Sequence, residues 1–253
     1  MKVTAIALNM FREAVRDKIL FNLLFFAMLM IASAGLGGML SVGEQARIIT
    51  DIGLAAMNIF GVLIAIFLGI SLVGKEMDRR TIYNILSKPI SRPLFLLGKY
   101  LGLALTLFVN ILAMTAVFVL LLWLIGEPIH PTLVMPIAMI YLELLVVTAI
   151  SLFFSTFTTM TLGTIFTLAV YLVGHLSGLL RSMTEKGTSS VRFLGEALYY
   201  LLPNFDYLNY KRYASHLLWI PDGLIGSSVL YGLFYIVLLL SLSVMSFQGR
   251  EFK

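Results

Sequence analysis

The stretch KEMDRRTIYNILSKPISRPLFLLGK, Lys75–Lys99, decides how the chain is laid out. It lies between two long uncharged runs. It holds six basic residues, Lys75, Arg79, Arg80, Lys88, Arg92 and Lys99, against two acids, Glu76 and Asp78. A segment this polar between two membrane spans must lie in water, and its basic excess puts it on the cytoplasmic side. The spacing within it predicts a short helix. Asp78 suits a helix start, and Glu76 precedes Arg80 by four residues, the favourable order for a charge pair. Thr81 follows the cap, and Ile82, Ile85 and Leu86 then fall on one face. Pro89 ends the turn, because the residue before a proline is pushed out of the helical region. Ser91 and Pro93 suit the start of the next helix. Two readings stand side by side. The loop is solvated with its apolar residues on lipid headgroups, or it offers Ile82, Tyr83 and Leu86 to a cytoplasmic partner.

Composition supports the membrane setting. Of 253 residues, 60% are hydrophobic and only 12% charged, about half the charged share of a soluble domain. The mean hydropathy is +0.97. A formal charge of +5 does not point to nucleic acid, because the cations flank apolar spans and act as topology signals and headgroup contacts. With no cysteine, disulfides, thiolate metal sites and thiol nucleophiles are excluded. No cleavable signal peptide is visible in the first residues.

Working outward, six uncharged or nearly uncharged runs are long enough to cross a bilayer, which takes about 20 apolar residues. They are 19–43, 52–74, 100–126, 132–154, 160–180 and 223–249. Residues 2–18 predict an amphipathic helix, with Val3, Ile6, Ala7, Met10 and Ala14 on one face and Arg12, Glu13 and Arg16 on the other. Such a helix lies flat in the membrane interface or extends the first span. Glu44 to Asp51 is expected as a short polar link. The break between spans four and five is placed at Ser155–Thr159, inside a continuous uncharged run. Six spans put both termini on one side. With that side cytoplasmic, twelve basic residues lie inside and six outside, as the positive-inside rule asks.

The outer segment 181–222 is aromatic-rich, with Tyr199, Tyr200, Tyr207, Tyr210, Tyr213 and Trp219, which suits the headgroup level. It predicts two interfacial or re-entrant helices. One starts at Ser190 and stops at Pro203. The other starts at Asn204 or Asp206 and carries Tyr207, Tyr210, Ala214 and Leu217.

Few motifs carry chemistry. Gly69–Glu76 matches most of a phosphate-binding loop, but Glu76 stands where Ser or Thr should hold the metal, and no strand precedes it. Glu143 is a carboxylate inside a predicted span, where such residues face a bundle interior or a water-filled cavity. It contacts a cation, a proton or a polar substrate, or it is a protonated or structurally bonded carboxyl. Tyr141 and Thr148 are near enough in sequence to assist. His175 sits by Gly174 and Gly178, a pair suited to close helix packing, and Gly98 and Gly102 form a second such pair. His130, His175 and His216 lie in separate segments with no metal-ligand spacing.

These residues carry a resemblance. Glu76, Arg80-Thr81-Ile82, Leu86-Ser87-Lys88-Pro89-Ile90-Ser91-Arg92 and Gly98-Lys99 resemble the cytoplasmic loop of type-2 ATP-binding-cassette permeases, the membrane halves of exporters. Asn9 to Lys18 is similar to the stretch before the first span in the branch that includes permeases of copper-enzyme maturation. Leu202-Pro203-Asn204-Phe205 and Phe154-Ser155-Thr156-Phe157 are similar as well. The resemblance implies an all-α integral membrane protein of six transmembrane helices. It would have an N-terminal interfacial helix, a cytoplasmic coupling helix within 75–99, and short outer helices before the last span. It implies that Glu76, Arg79, Arg80, Thr81, Ile82, Tyr83, Leu86, Lys88 and Arg92 meet a separate ATPase subunit. Two ATPases would work with two permeases, as homodimer or close paralogues, and an outer-side accessory partner would be of the periplasmic kind. No cofactor is expected on this chain itself; ATP and Mg would be held by the ATPase. The expected location is the cytoplasmic (inner) membrane with both termini inside, and Glu143 and His175 are the candidates for the translocation path. The rival reading is a secondary transporter or channel that uses Glu143 as its coupling carboxylate.

Overall fold

The computed structural model describes residues 2–39, 44–78, 91–178, 196, 199, 201–216, 218–221 and 223–248. Among these residues every regular element is helical. The elements are α1 (Lys2–Val15), α2 (Lys18–Met39), α3 (Gln45–Asp78), α4 (Arg92–Ile125), α5 (Val134–Ser155, led by a 3-10 turn Pro131–Leu133), α6 (Met160–His175), a 3-10 turn Phe205–Leu208, α7 (Lys211–Ser215) and α8 (Leu224–Gln248).

Five of these helices are long and apolar enough to cross a membrane: Lys18–Gly38, Gln45–Ser71, Arg92–Ile125, Pro131–Ser155 and Leu224–Phe247. α6 is apolar but has only 16 residues. The α3 and α5 windows are 67% and 61% buried, against 28% for the other three. α3 and α5 are therefore the central pair, with α2, α4 and α8 around them. Small residues let them close: a Cβ on Gly61 would sit 2.7 Å from Leu144 Cδ1, and one on Gly69 would collide with Ser151 Oγ. Close backbone approach of this kind is how helices associate where no hydrophobic effect separates side chain from lipid.

α1 is a separate helix, not an extension of α2, since a turn at Arg16 and Asp17 divides them. Its apolar face, with Met10 and Ala14 fully buried, lies across the start of α4. There Gly98 and Gly102 make the seat. A Cβ on Gly98 would sit 2.7 Å from Ile6 Cγ2, and one on Gly102 would sit 2.5 Å from Met10 Cβ. Arg12, Glu13 and Arg16 are exposed. α4 begins after Ser91, whose φ of −69° and ψ of 144° are extended, with proline in the first turn. It ends at Gly126, whose φ of 84° is the left-handed conformation that closes helices. The Glu127 N–H then donates to the Leu122 carbonyl at 3.0 Å.

Several boundaries differ from the sequence reading. The Glu44–Asp51 link is helical from Gln45, because Arg47 donates back to Glu44 at 2.9 Å and Ile49 is buried in the core. Asp78 ends α3 instead of opening a new helix. Arg92 to Lys99 already belong to α4, where Phe95 and Leu96 are buried and the Lys99 Nζ lies 5.6 Å over the Phe95 ring. Gly69–Glu76 lies within the continuous helix α3, without the strand and loop that phosphate binding needs. The helix expected from Asn204 is two short pieces, since the Asn204 side chain accepts from the Asp206 N–H and the chain leaves helical geometry at Asn209. The helix expected from Ser190 to Pro203 falls largely outside the described residues.

Contacts fix the helix directions. α3 meets α5 with Gly61 against Leu144 and Gly69 against Ser151, so the two run the same way. The start of α4 holds α1 and also meets the end of α8, where the rings of Phe95 and Phe247 stack at 6.5 Å. One end of the bundle thus gathers α1, the α3 and α4 termini that flank residues 79–90, and the end of α8. The other end carries the segment between α6 and α8.

Candidate functional site

Glu143 stands at the midpoint of Pro131–Ser155, and Asn58 lies one turn before Gly61, which packs on Leu144. They belong to the two central helices, so both sit at mid-depth of the apolar layer. Glu143 is 0% exposed. His175, the last residue of α6, places Nε2 3.6 Å from Glu143 Oε1. Tyr171, one turn earlier, donates its hydroxyl to Asn58 Oδ1 at 3.0 Å. Asn58 and Tyr171 are the polar neighbours of the carboxylate, and Lys211 of α7 acts on it from the segment between α6 and α8. Burial pushes the Lys211 ammonium below the usual lysine range, and the Glu143 charge opposes that shift. No ion pair within 4.0 Å joins Lys211 to Glu143 among the described residues.

The cluster is poorly satisfied. Both Glu143 oxygens, both His175 ring nitrogens and Asn58 Nδ2 are buried without a hydrogen-bond partner. Each such group costs about 1–3 kcal/mol. Neighbouring polar side chains on α5 behave differently. Thr148 and Ser151 donate to the Leu144 and Thr148 carbonyls of their own helix at 2.7 and 2.8 Å. Tyr141 donates to the Ala104 carbonyl at 3.1 Å. Tyr141 and Thr148 therefore do not assist Glu143, because backbone acceptors take their hydroxyls.

An irregular segment closes the cluster from one side. Phe205 is fully buried, and its ring stacks on His175 with centroids 5.4 Å apart. Gly174 makes room for it. A Cβ there would collide with the Pro203 carbonyl and lie 2.7 Å from the Phe205 ring. The glycine pair expected to pack helix on helix thus works through one member, against a turn. Among the described residues, a Cβ on Gly178 would meet Asp206 Oδ2, at 3.7 Å. The turn is tied down: Ser177 Oγ lies 2.7 Å from Asn204 Oδ1 and 3.0 Å from Asp206 Oδ2, and the Asn204 N–H donates to the Tyr231 hydroxyl at 2.7 Å. Non-helical backbone at membrane depth is tolerated only inside protein or along a water-filled cavity.

A pocket of about 350 Å³ opens at the same end of the bundle, lined by Glu44, Arg47, Thr50, His130, Ser215 and His216 among others. His130 and His216, far apart in sequence, share it. Arg47 donates to Glu44 at 2.9 Å and its Nη2 lies 3.1 Å from His216 Nε2. No cluster of three metal-ligating side chains occurs among the described residues.

The residues expected to couple to an ATPase are mostly elsewhere. Arg79, Arg80, Thr81, Ile82, Tyr83, Leu86 and Lys88 lie outside the described residues, and Glu76 is in the last turn of α3. Arg92 donates to the Phe247 carbonyl at 2.9 Å and lies 5.7 Å over that ring. It thereby joins the exit of the 79–90 segment to the end of α8. Sequence reasoning missed Asn58, Tyr171 and Lys211. Asn58 left a signal, an amide at the centre of an otherwise apolar span; Lys211 left none, since its helix is short and its partner distant in sequence.

Among the described residues, carboxylate, imidazole and amide groups thus lie buried together without hydrogen-bond partners, beside an irregular segment, an arrangement uncommon inside an apolar layer. No curated protein matches this chain. The family model described as ABC-2 family transporter protein matches residues 4–252. This multi-pass membrane protein belongs to the ABC-2 transporter family and is of the permease type, the membrane component of an ATP-binding-cassette transporter.

Proposed function

We propose that the chain is the permease of an ATP-driven exporter. In this reading two copies, or one copy and a close paralogue, form the pathway, and two ATPase subunits holding ATP and Mg dock on 75–99. The permease itself does no chemistry. ATP binding changes the spacing of the two docked segments, and the bundle responds by exposing its mid-depth cluster to one side and then the other. Residues 160–180 complete a six-span arrangement in the cytoplasmic membrane, with both termini inside and 181–222 outside. The likeness of residues 9–18 to permeases of copper-enzyme maturation supports a reading of the chain as a member of that branch.

One observation carries the coupling role: α1, the ends of α3 and α4 and the end of α8 meet at one end of the bundle, and Arg92 links two of them. A displacement of the 79–90 segment is passed directly to α4 and α8. The test is Tyr83→Ala with Leu86→Ala. Truncating interface anchors costs on the order of 2 kcal/mol or more, so the double variant should release the ATPase or uncouple its turnover, while Lys88→Ala changes little. Co-purification and transport-dependent ATP turnover in liposomes decide. Wild-type values for both would return the segment to a solvated linker.

The unsatisfied cluster favours a second reading, transport driven by an ion gradient through Glu143. Substrate movement that continues without ATP and follows an imposed gradient would select it.

A further inference from the structure

The cluster of Asn58, Glu143, Tyr171 and His175 names a ligand chemistry. Two carboxylate oxygens lack donors, and two imidazole nitrogens lack partners. A neutral imidazole supplies one acceptor and one donor, and Asn58 Nδ2 supplies two donors. An ionised carboxylate and one imidazole nitrogen offer more acceptor sites than these fill, so the site is short of donors. The Asn58 oxygen already takes the Tyr171 hydroxyl. Aromatic faces border the site: the Tyr171 and His175 centroids are 4.6 Å apart, and the Phe205 ring lies 5.4 Å from each. Aromatic walls with one carboxylate suit a cation and oppose an anion. An apolar occupant would leave the polar atoms unpaired.

The chain also supplies a cation of the matching kind. Lys211 is carried on α7, outside the spanning helices. α7 packs against α3 and α5, the helices of Asn58 and Glu143, and the Lys211 charge acts on Glu143 across that contact. α7 continues to Ser215, which lines the 350 Å³ pocket together with Thr50 and Arg47 of α3. Arg47, Thr50 and Asn58 lie on one side of α3, following the three- and four-residue steps of a helix face. The pocket therefore shares one side of α3 with Asn58 and the helix α7 with Lys211.

We infer that Asn58, Glu143, Tyr171 and His175 form a mid-membrane site for a small cation bearing N–H donors, an ammonium group, and that Lys211 is its tethered competitor on the pocket side. This rests on the reading of the chain as a transport pathway. Lys211 opposes by like charge a cation entering from the pocket, and a cargo ammonium takes the place beside Glu143 that Lys211 would otherwise fill. The titratable groups facing Glu143 are then the Lys211 ammonium and the neutral His175 imidazole, with Asp206 acting on His175.

The test uses the complete transporter, permease with ATPase, in lipid nanodiscs. Methylammonium is the probe, tetramethylammonium the analogue without N–H donors, and sodium the ionic-strength control. Binding of radiolabelled methylammonium is measured directly, and protection of Glu143 from a hydrophobic carbodiimide is read by peptide mass spectrometry. Methylammonium should bind and protect, and Glu143→Gln should abolish binding. Lys211→Met should tighten binding at least about tenfold, since it removes one like charge near a site of low effective dielectric. Tetramethylammonium should be at least about tenfold weaker, because it leaves the acceptors unpaired. If Lys211→Met binds methylammonium no better than the wild type, Lys211 is no competitor and the inference falls. If neither form binds it, the cluster is a structural contact. Should Glu143→Gln fail to assemble, Lys211→Met alone decides, because a purely structural Lys211 predicts lost stability without gained affinity. ATPase co-purification on the same sample reports separately on the permease reading.

Discussion

Two regions of this bundle handle close packing in opposite ways. Where α1 crosses α4, glycines bring backbones together, apolar side chains fill the contact, and the charges of α1 stay exposed. At mid-depth of α3 and α5, side chains are equally buried, yet carboxylate, imidazole and amide atoms have no partners. The first region gains stability from its packing. The second gives stability up, and buried polar groups left unpaired are the usual mark of a place where something else binds or moves.

The largest effect is expected at the α1 seat. Gly102→Leu drives a side chain into Met10 and the Ala7 carbonyl, which lies 2.6 Å from a Cβ at that position. Overpacking of this kind costs about 1–3 kcal/mol, and α1 should leave α4. A cysteine at Met10, buried in the wild type, should then react quickly with a thiol reagent. Unchanged reactivity would show that the seat is loose.

A substitution of opposite sign sharpens the contrast. Glu143→Leu removes two unpaired oxygens and should raise the unfolding midpoint, a gain of order 1 kcal/mol, while transport falls. Stability and transport that fall together would make the carboxylate structural, and the two regions would then be alike.

The smallest effect is expected at Arg47, whose pair with Glu44 is exposed, at 40% and 59% of the side chains. Arg47→Ala should change stability by no more than about 0.5 kcal/mol. A larger loss in thermal unfolding would mean that the pocket it lines helps to hold the bundle closed.

The sequence made much of this layout legible, because apolar runs and capping residues act locally. Ser91, the prolines and Gly126 bound α4 by backbone geometry alone. Charge pattern along residues 2–18 showed which face of α1 is wet, since amphipathic spacing repeats with the helix. Glu143 and His175 stood out as ionisable groups in or beside apolar runs. Their meeting did not, because it depends on how α5 and α6 lie across α3. Lys211 and Phe205 were illegible for the same reason: an irregular segment folded back into the bundle has no period to read. The polar link at Glu44–Asp51 misled, since one Glu–Arg pair and buried isoleucine suffice to carry a helix through a charged stretch.

The lengths of α3 and α4 carry one more consequence. Each has 34 residues, about 51 Å of helix, against a hydrocarbon layer of about 30 Å. From Lys75, the first charge after its apolar run, α3 continues about another 5 Å to Asp78. The two rods form a pedestal for whatever sits between them. At physiological ionic strength the potential of an anionic lipid surface decays over about 8 Å. A protein docked there, as proposed above, would therefore stay within reach of that potential. Its salt sensitivity would report the charges of the bilayer together with those of the two proteins, and a change of lipid headgroup would change how firmly it docks.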